Sequence, residues 1–320
     1  MEEYELVIVG GGPIGLYAAL IAKLYNLSFI LLESTNSFGG QVISLYPTKP
    51  VDDSPGLANA EGKDLIDNLL KQLEKQNAIQ NLRLNSKVID IINNNDKFLV
   101  KLENGNVIST KAILLAIGFG EVVPKTLNVP GEKEFLDKGV YYYVKSREDF
   151  KGKRVAVIGG GDSAFDWALD IIDYANEIYI IQHNDKLKAA PLSIEKFKQK
   201  NGKILLNKNV ISINGKDRVE SITIQDVVSN SKEDLQIDSV IIAIGNLIHR
   251  QQFPSINLEK NQYGFIIDKD CQTSVKNIYA AGDCSAYDGS RFLSVGFGQA
   301  ALAVEMIARS LRPAGLAPLH

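Results

Sequence analysis

Short apolar runs recur along the 320-residue chain, each closed by glycine or by a polar break. Tyr4 to Val9 and Arg154 to Ile158 have the length and density of buried strands, while Leu16 to Tyr25 and Phe165 to Tyr174 carry apolar residues at helical spacing. Ser28 to Leu32 is a further apolar strand, ended by Glu33. Ala112-Ile-Leu-Leu-Ala-Ile-Gly118 and Ser239-Val-Ile-Ile-Ala-Ile-Gly245 form a matched pair of runs without alternation, as expected of strands covered on both faces. Before each of that pair the pattern changes to short strand-like segments between turn residues. The turns are Asn93-Asn94-Asn95-Asp96 and Glu103-Asn104-Gly105, then Asn214-Gly215 and Ser229-Asn230-Ser231, which predict an antiparallel meander packed on each parallel sheet. The chain thus runs through one series of elements twice.

Between the first strand and the first helix of each series stands a glycine loop: Gly10-Gly11-Gly12-Pro13-Ile14-Gly15 and Gly159-Gly160-Gly161-Asp162-Ser163-Ala164, which begin 149 positions apart (159 − 10). Such a loop alone is a weak signal, but strand, loop and helix in that order make a dinucleotide fingerprint. The first glycine allows the tight turn, the second lets backbone approach a pyrophosphate, and the third position, Gly15 or Ala164, lets helix and strand pack closely. The phosphates are then met by free N–H groups at the positive end of a helix. Glu33 lies 18 residues beyond Gly15 (33 − 15), where an acid suits ribose hydroxyls; the same count from Ala164 reaches Gln182, which brings no acid. The expected fold class is α/β, with two nested Rossmann-like dinucleotide-binding domains, each a parallel sheet with a small antiparallel β-meander. The polar segment Pro124 to Asp149, with Pro130-Gly131, is expected to bridge into the second unit. Residues 1–118 and 249–320 would form one discontinuous domain and residues 119–248 the other.

Composition narrows the class further. A net charge of −3 gives no general reason to expect nucleic acid, and no apolar run approaches the roughly 18 residues that cross a membrane. The acidic start Met1-Glu2-Glu3 leads straight into a strand, unlike a secretory signal, so a cytoplasmic protein is expected. Cys271 and Cys284 are the only cysteines, too few for a disulfide framework or a cluster site. His183, His249 and His320 are scattered without metal-ligand spacing, and no metal site is expected.

The segment Thr273-Ser-Val-Lys-Asn-Ile-Tyr279-Ala-Ala-Gly282-Asp283 resembles the second FAD signature of two-dinucleotide flavoprotein reductases. Four other segments make nearly the whole chain similar to the thioredoxin-reductase-like ferredoxin–NADP reductases. They are Gly39-Gly40-Gln41 with Leu45-Tyr46-Pro47, Gly139-Val-Tyr-Tyr-Tyr-Val144, Gly159 to Leu169, and Pro318-Leu319-His320. The resemblance implies that Glu33 and Asp283 hold opposite ends of FAD, with Gly10, Gly12, Pro13, Gly15, Gly40, Gln41 and Gly282 around it. Tyr46 and His320 would stack on the two flavin faces, Val88 and Val122 would offer backbone contacts, and the C-terminal residue can come from the neighbouring subunit of a homodimer. Ser294-Val-Gly-Phe-Gly298-Gln-Ala-Ala opens a helix whose N–H groups would face the flavin pyrimidine ring. Where thioredoxin reductases carry Cys-x-x-Cys this chain has Tyr141-Tyr142-Tyr143-Val144-Lys145, so electrons would not leave as a dithiol. The implied reaction is hydride exchange between NAD(P)H and FAD and one-electron exchange with ferredoxin or a similar iron–sulfur carrier. It needs no side-chain acid, base or nucleophile.

The nicotinamide cofactor is taken as NADP by resemblance, with Gly159, Gly161, Asp162, Ser163 and Ala164 placing it. Relatives specific for NADP carry an arginine pair and a third arginine where this chain has His183, Asn184 and Lys188. Neither histidine nor lysine reproduces the guanidinium fork, so NAD stays open as well. Lysines from Lys186 to Lys208 offer either a ferredoxin landing surface or an ordinary solvated face. Two other readings fit the same frame: an NAD(P)H oxidase or quinone or flavin reductase, and a nucleotide-binding redox sensor that barely turns over.

Overall fold

The computed structural model describes residues 1–45, 47, 50–51, 53–54, 56–249, 252–285 and 292–312. By packing, the chain divides into two compact α/β units, one of Met1–Glu121 with His249–His320 and one of Val122–Ile248.

In the discontinuous unit the parallel strands lie in the order Leu82–Arg83, Phe29–Leu32, Glu2–Val9, Val107–Leu115. Alternate residues go to opposite faces, as the pleat requires. Leu6, Ile8, Leu31 and Leu114 face the helices Pro13–Leu24, Gly62–Lys75 and Leu293–Leu311, while Val7, Val9, Leu32 and Ile113 meet Phe253, Leu258 and Phe265 on the other side. Val107–Leu115 serves two partners along one edge. Its start pairs antiparallel with Lys97–Leu102, and Ile113 to Leu115 pair in parallel with Ile278–Ala280. The meander, completed by Val88–Asn94, therefore continues the sheet here instead of packing on it. The run from Thr273 yields strand only at Ile278–Ala280, because Thr273 Oγ1 donates to Ile278 O and holds the intervening residues in a turn. Helix Pro13–Leu24 starts three residues before the apolar spacing (16 − 13), since Pro13 stands at N1 with a φ suited to the helix and no N–H to leave unmatched.

The second unit repeats the plan with a separate meander. Its parallel sheet runs Lys203–Leu205, Glu177–Ile181, Arg154–Ile158, Ser239–Ile242, Val140–Tyr141. The last strand comes from the segment read as a polar bridge. That segment packs Phe135 and Val140 into the unit's core and anchors itself through Glu132, a buried carboxylate that accepts from Leu127 N, Asn128 N and Tyr142 Oη at 2.7–2.9 Å. Lys208–Gly215, Val219–Asp226 and Lys232–Gln236 form the three-stranded meander, with the Asn214-Gly215 turn irregular and Asn230 in the left-handed region at φ 60°. Helix Asp162–Ile171 ends three residues short of Tyr174 (174 − 171), whose N–H bonds Ile171 O in a tight turn. The two segments that pass between the units, Glu121–Pro124 and Asn246–His249, hydrogen-bond to each other as a two-stranded sheet. Among the described residues no helix is long and apolar enough to cross a membrane.

Candidate functional site

The glycines of the first loop divide by what surrounds them. A Cβ on Gly10 would lie 2.4 Å from Ala116 O and one on Gly15 would lie 1.9 Å from Gly10 O, so both positions are closed by backbone. Gly12 is different: a Cβ there would meet only Gly40 Cα, at 4.0 Å. The middle glycine thus faces open space, as an approach to phosphate requires. Gly12 is also the N-cap of Pro13–Leu24, and no side chain caps that end. The free N–H groups of the first turn remain for an anion.

Several sequence-distant residues gather around this loop. Glu33 is 5% exposed and accepts from Gly11 N at 2.7 Å through one oxygen, while the other receives Thr35 N, Thr35 Oγ1 and Ser34 Oγ. Gly39 N bonds Gly11 O, which brings Gly40 against Gly12, and Gln41 Nε2 reaches Gly120 O at 3.3 Å. Glu33 N and O are tied to Arg83 O and Ser86 N, two residues before the buried Val88. From the other end of the chain, Gly282 packs on Ile14, and Gly296 in the last helix approaches Ile14 as well. A pocket lined by Ile117, Gly118, Phe119, Tyr263 and Phe265 opens beside Asp283 and Cys284. Tyr46 and His320 lie outside the described residues, and Val122 is placed only as backbone in Glu121–Pro124.

The second loop repeats this geometry with other chemistry. A Cβ on Gly159 would lie 2.3 Å from Ala243 O, whereas nothing lies within 4 Å of one on Gly161, the uncapped N-cap of Asp162–Ile171. At the third position Ala164 replaces glycine and is fully buried, its methyl standing near Gly159. Gln182 is 5% exposed and lies against Gly160 as Glu33 lies against Gly11, so a neutral amide takes the place of a carboxylate. The following segment folds back over the loop: Lys188 N and Ala189 N bond Gly160 O, and Ala190 N bonds Asp162 Oδ1. His183, Asn184, Ser163 and the Lys188 side chain are exposed.

Three lysines of the basic run are engaged within the unit. Lys200 pairs with Asp173, Lys203 with Glu177, and Lys208 with Asp226 and Glu233. Lys186, Lys188, Lys196 and Lys198 are exposed and have no carboxylate partner among the described residues. In the tyrosine segment, Tyr141 packs edge-on against Phe150, and Tyr142 has its pKa raised by burial and then by its hydrogen bond to Glu132. Cys271 and Cys284 are free and buried, and burial pushes their thiols up to about 11 and about 12. Among the described residues no group of His, Cys, Asp and Glu could hold a metal ion.

Two side chains at the last helix were not legible in the sequence. Asp53 Oδ2 accepts from Leu293 N at 2.7 Å and so caps the last helix from 240 residues away, a pairing no local pattern reveals. Gln299 accepts from Gly282 N; its only signal was a polar residue in an apolar helix run.

Residues 4–306 match the family model described as pyridine nucleotide-disulphide oxidoreductase. Over 98% of its length the chain is 37% identical to a protein of Picrophilus torridus named ferredoxin–NADP reductase, of which it covers 96%. It is 33% identical to one of the same name from Sulfurisphaera tokodaii, over 98% of this chain and 95% of that protein. Its fold matches the solved thioredoxin reductase of T. acidophilum with a TM-score of 0.75 at 23% identity, across 97% of this chain and 99% of that one.

Proposed function

The chain belongs to the pyridine nucleotide-disulphide oxidoreductase family, and from that premise we propose that it is an FAD-dependent ferredoxin–NADP reductase. The observation that carries this reading is the gathering of Gly12, Glu33, Gly40 and Gly282 about one uncapped helix end, while a second uncapped loop, with Gln182 where the first has Glu33, stands in the other unit. The residues fit a dinucleotide in each place. Gly12 and Gly161 leave open the space that a Cβ would enter, and the free helix ends supply donors to phosphate.

On this reading Glu33 accepts from the ribose hydroxyls of FAD, Asp283 holds the other end, Gln41 and the backbone at Val88 and Val122 border it, and Tyr46 and His320 cover the flavin faces. When bound, FAD supplies both hydride exchange and single-electron exchange. The protein's part is to position the two dinucleotides and to keep its thiols out of the path, since Cys271 and Cys284 are both buried with raised pKa values. No dithiol relay is proposed. The second loop takes NADPH, or NADH, with His183 and Lys188 beside the ribose. Ferredoxin, or a similar acidic iron–sulfur protein, lands on Lys186, Lys188, Lys196 and Lys198, whose charge is not neutralised within the unit. The protein is proposed to work as a cytoplasmic homodimer.

Anaerobic mixing tests the assignment. Rapid bleaching of the flavin by NADPH or NADH, followed by ferredoxin reduction that slows as ionic strength rises, is the expected result. Bleaching with ferredoxin turnover no faster than oxygen or free-flavin turnover would make the chain an oxidase or flavin reductase instead. Absence of bleaching would make it a sensor.

A further inference from the structure

Gln299 is the seventh residue of helix Leu293–Leu311, and it is 8% exposed. Its Oε1 accepts from Gly282 N at 2.8 Å and from Ser285 Oγ at 3.2 Å. Because Gly282 N–H can only donate, the oxygen end of the amide must face the turn. The opposite end, Nε2, is buried and has no hydrogen-bond partner among the described residues. The side chain thus meets the turn through its acceptor.

That turn is Gly282–Cys284, with Asp283 at its centre. Gly282 has φ +74°, in the left-handed region, and a Cβ on it would crowd Ile14 at 3.1 Å. On the far side, Cys284 Sγ donates to Leu115 O and Ala281 O. Asp283 is therefore held from both flanks: by the last helix through Gln299 and by the sheet through Cys284.

We propose that Gln299 is a positioning residue for the Gly282–Asp283 turn, and through it for a bound flavin dinucleotide, and that it acts through its oxygen end. The second half rests on the FAD reading above; the first does not. A leucine at 299 keeps the volume and removes the acceptor, leaving Gly282 N–H buried and unmatched. A glutamic acid keeps both accepted hydrogen bonds, and burial holds its carboxyl protonated, with an O–H where Nε2 stood.

The test compares the parent, Gln299→Leu and Gln299→Glu in two measurements. Hydrogen exchange of the peptide covering 282–285 in the protein as purified reads the turn. FAD dissociation, followed by flavin fluorescence with visible circular dichroism, reads the cofactor. Gln299→Leu should exchange Gly282 N–H at least about tenfold faster and bind FAD about tenfold or more weakly. Gln299→Glu should stay within about threefold of the parent in both and recover its dichroism. Should Gln299→Leu not fold, Gln299→Met, unbranched and lacking the acceptor, replaces it. Parent-like exchange in the leucine or methionine variant overturns the proposal, as does a glutamate variant as loose as the leucine one. A parent that binds no FAD overturns the functional reading alone, because the exchange result still decides the role of Gln299.

Discussion

Exchanging Gln182 for glutamate should turn the second loop toward NADH. Gln182 is 5% exposed and abuts Gly160, the position that Glu33 holds against Gly11 in the first loop. A carboxylate there can accept from a ribose hydroxyl, and a charge-assisted hydrogen bond contributes about 1.5–3 kcal/mol, roughly tenfold to 150-fold in affinity for NADH. It would also face the 2′-phosphate of NADPH. Two unit charges about 5 Å apart at an effective dielectric of about 20 repel by about 3 kcal/mol. The two effects act in one direction, so the ratio of kcat/KM for NADPH over NADH should fall by about a hundredfold or more. Steady-state reduction of a small dye by each nucleotide measures the ratio, with a thermal melt to show that the variant is folded. For the parent, His183, Asn184 and Lys188 in place of arginines predict a preference for NADPH below about a thousandfold. A folded variant with a ratio within about threefold of the parent would refute the reasoning, and a parent preference above a thousandfold would refute its premise.

Gly15→Ala puts a methyl group into Gly10 O and should lower stability by several kcal/mol in a denaturant titration, whereas Gly161→Ala, in open space, should leave stability within about 0.5–1 kcal/mol while weakening nucleotide binding. Equal melting of the two would contradict the division of glycines by their surroundings. Glu132→Ala leaves two backbone N–H groups and Tyr142 Oη without their acceptor, and should cost about 2–5 kcal/mol; a loss under 1 kcal/mol would mean that water replaces the carboxylate. The thiols should resist a disulfide reagent at pH 8 until the chain unfolds. Their folded pKa values of about 11 and about 12 lie above the ordinary 9.0, so the stability they contribute is full below pH 9 and is lost as pH rises through 11 and 12. Melting temperatures that climb across that range would reverse the sign.

The sheets and the helices behind the glycine loops were legible because burial on both faces leaves long apolar runs, as in Phe29–Leu32 and Ser239–Ile242. Legibility failed where local and distant demands competed. Val140–Tyr141 is too short to show a period and becomes strand only because Ser239–Ile242 offers it an edge. Thr273 begins a strand-like run, yet its hydroxyl turns the chain. In the candidate site, the glycines and Glu33 stand at fixed spacing along the chain and could be found by counting. Gln299 and Asp53 act across 17 and 240 residues, and their partners are backbone N–H groups, which every residue type but proline supplies. The lysine run shows a third limit, since a sequence lists charges without the carboxylates that neutralise Lys200, Lys203 and Lys208.

The pairing of Glu121–Pro124 with Asn246–His249 means that the chain leaves the first unit and returns to it through neighbouring strands of one ribbon. Strands in a ribbon stand about 5 Å apart, so the chain enters and leaves unit two through adjacent segments. Unit two is in this sense a cassette, inserted in the sequence between residues 121 and 249 of the other unit. Such a layout lets the inserted unit be trimmed or exchanged without breaking the sheet of its host, and it marks the ribbon as the place to cut when grafting one such unit onto another.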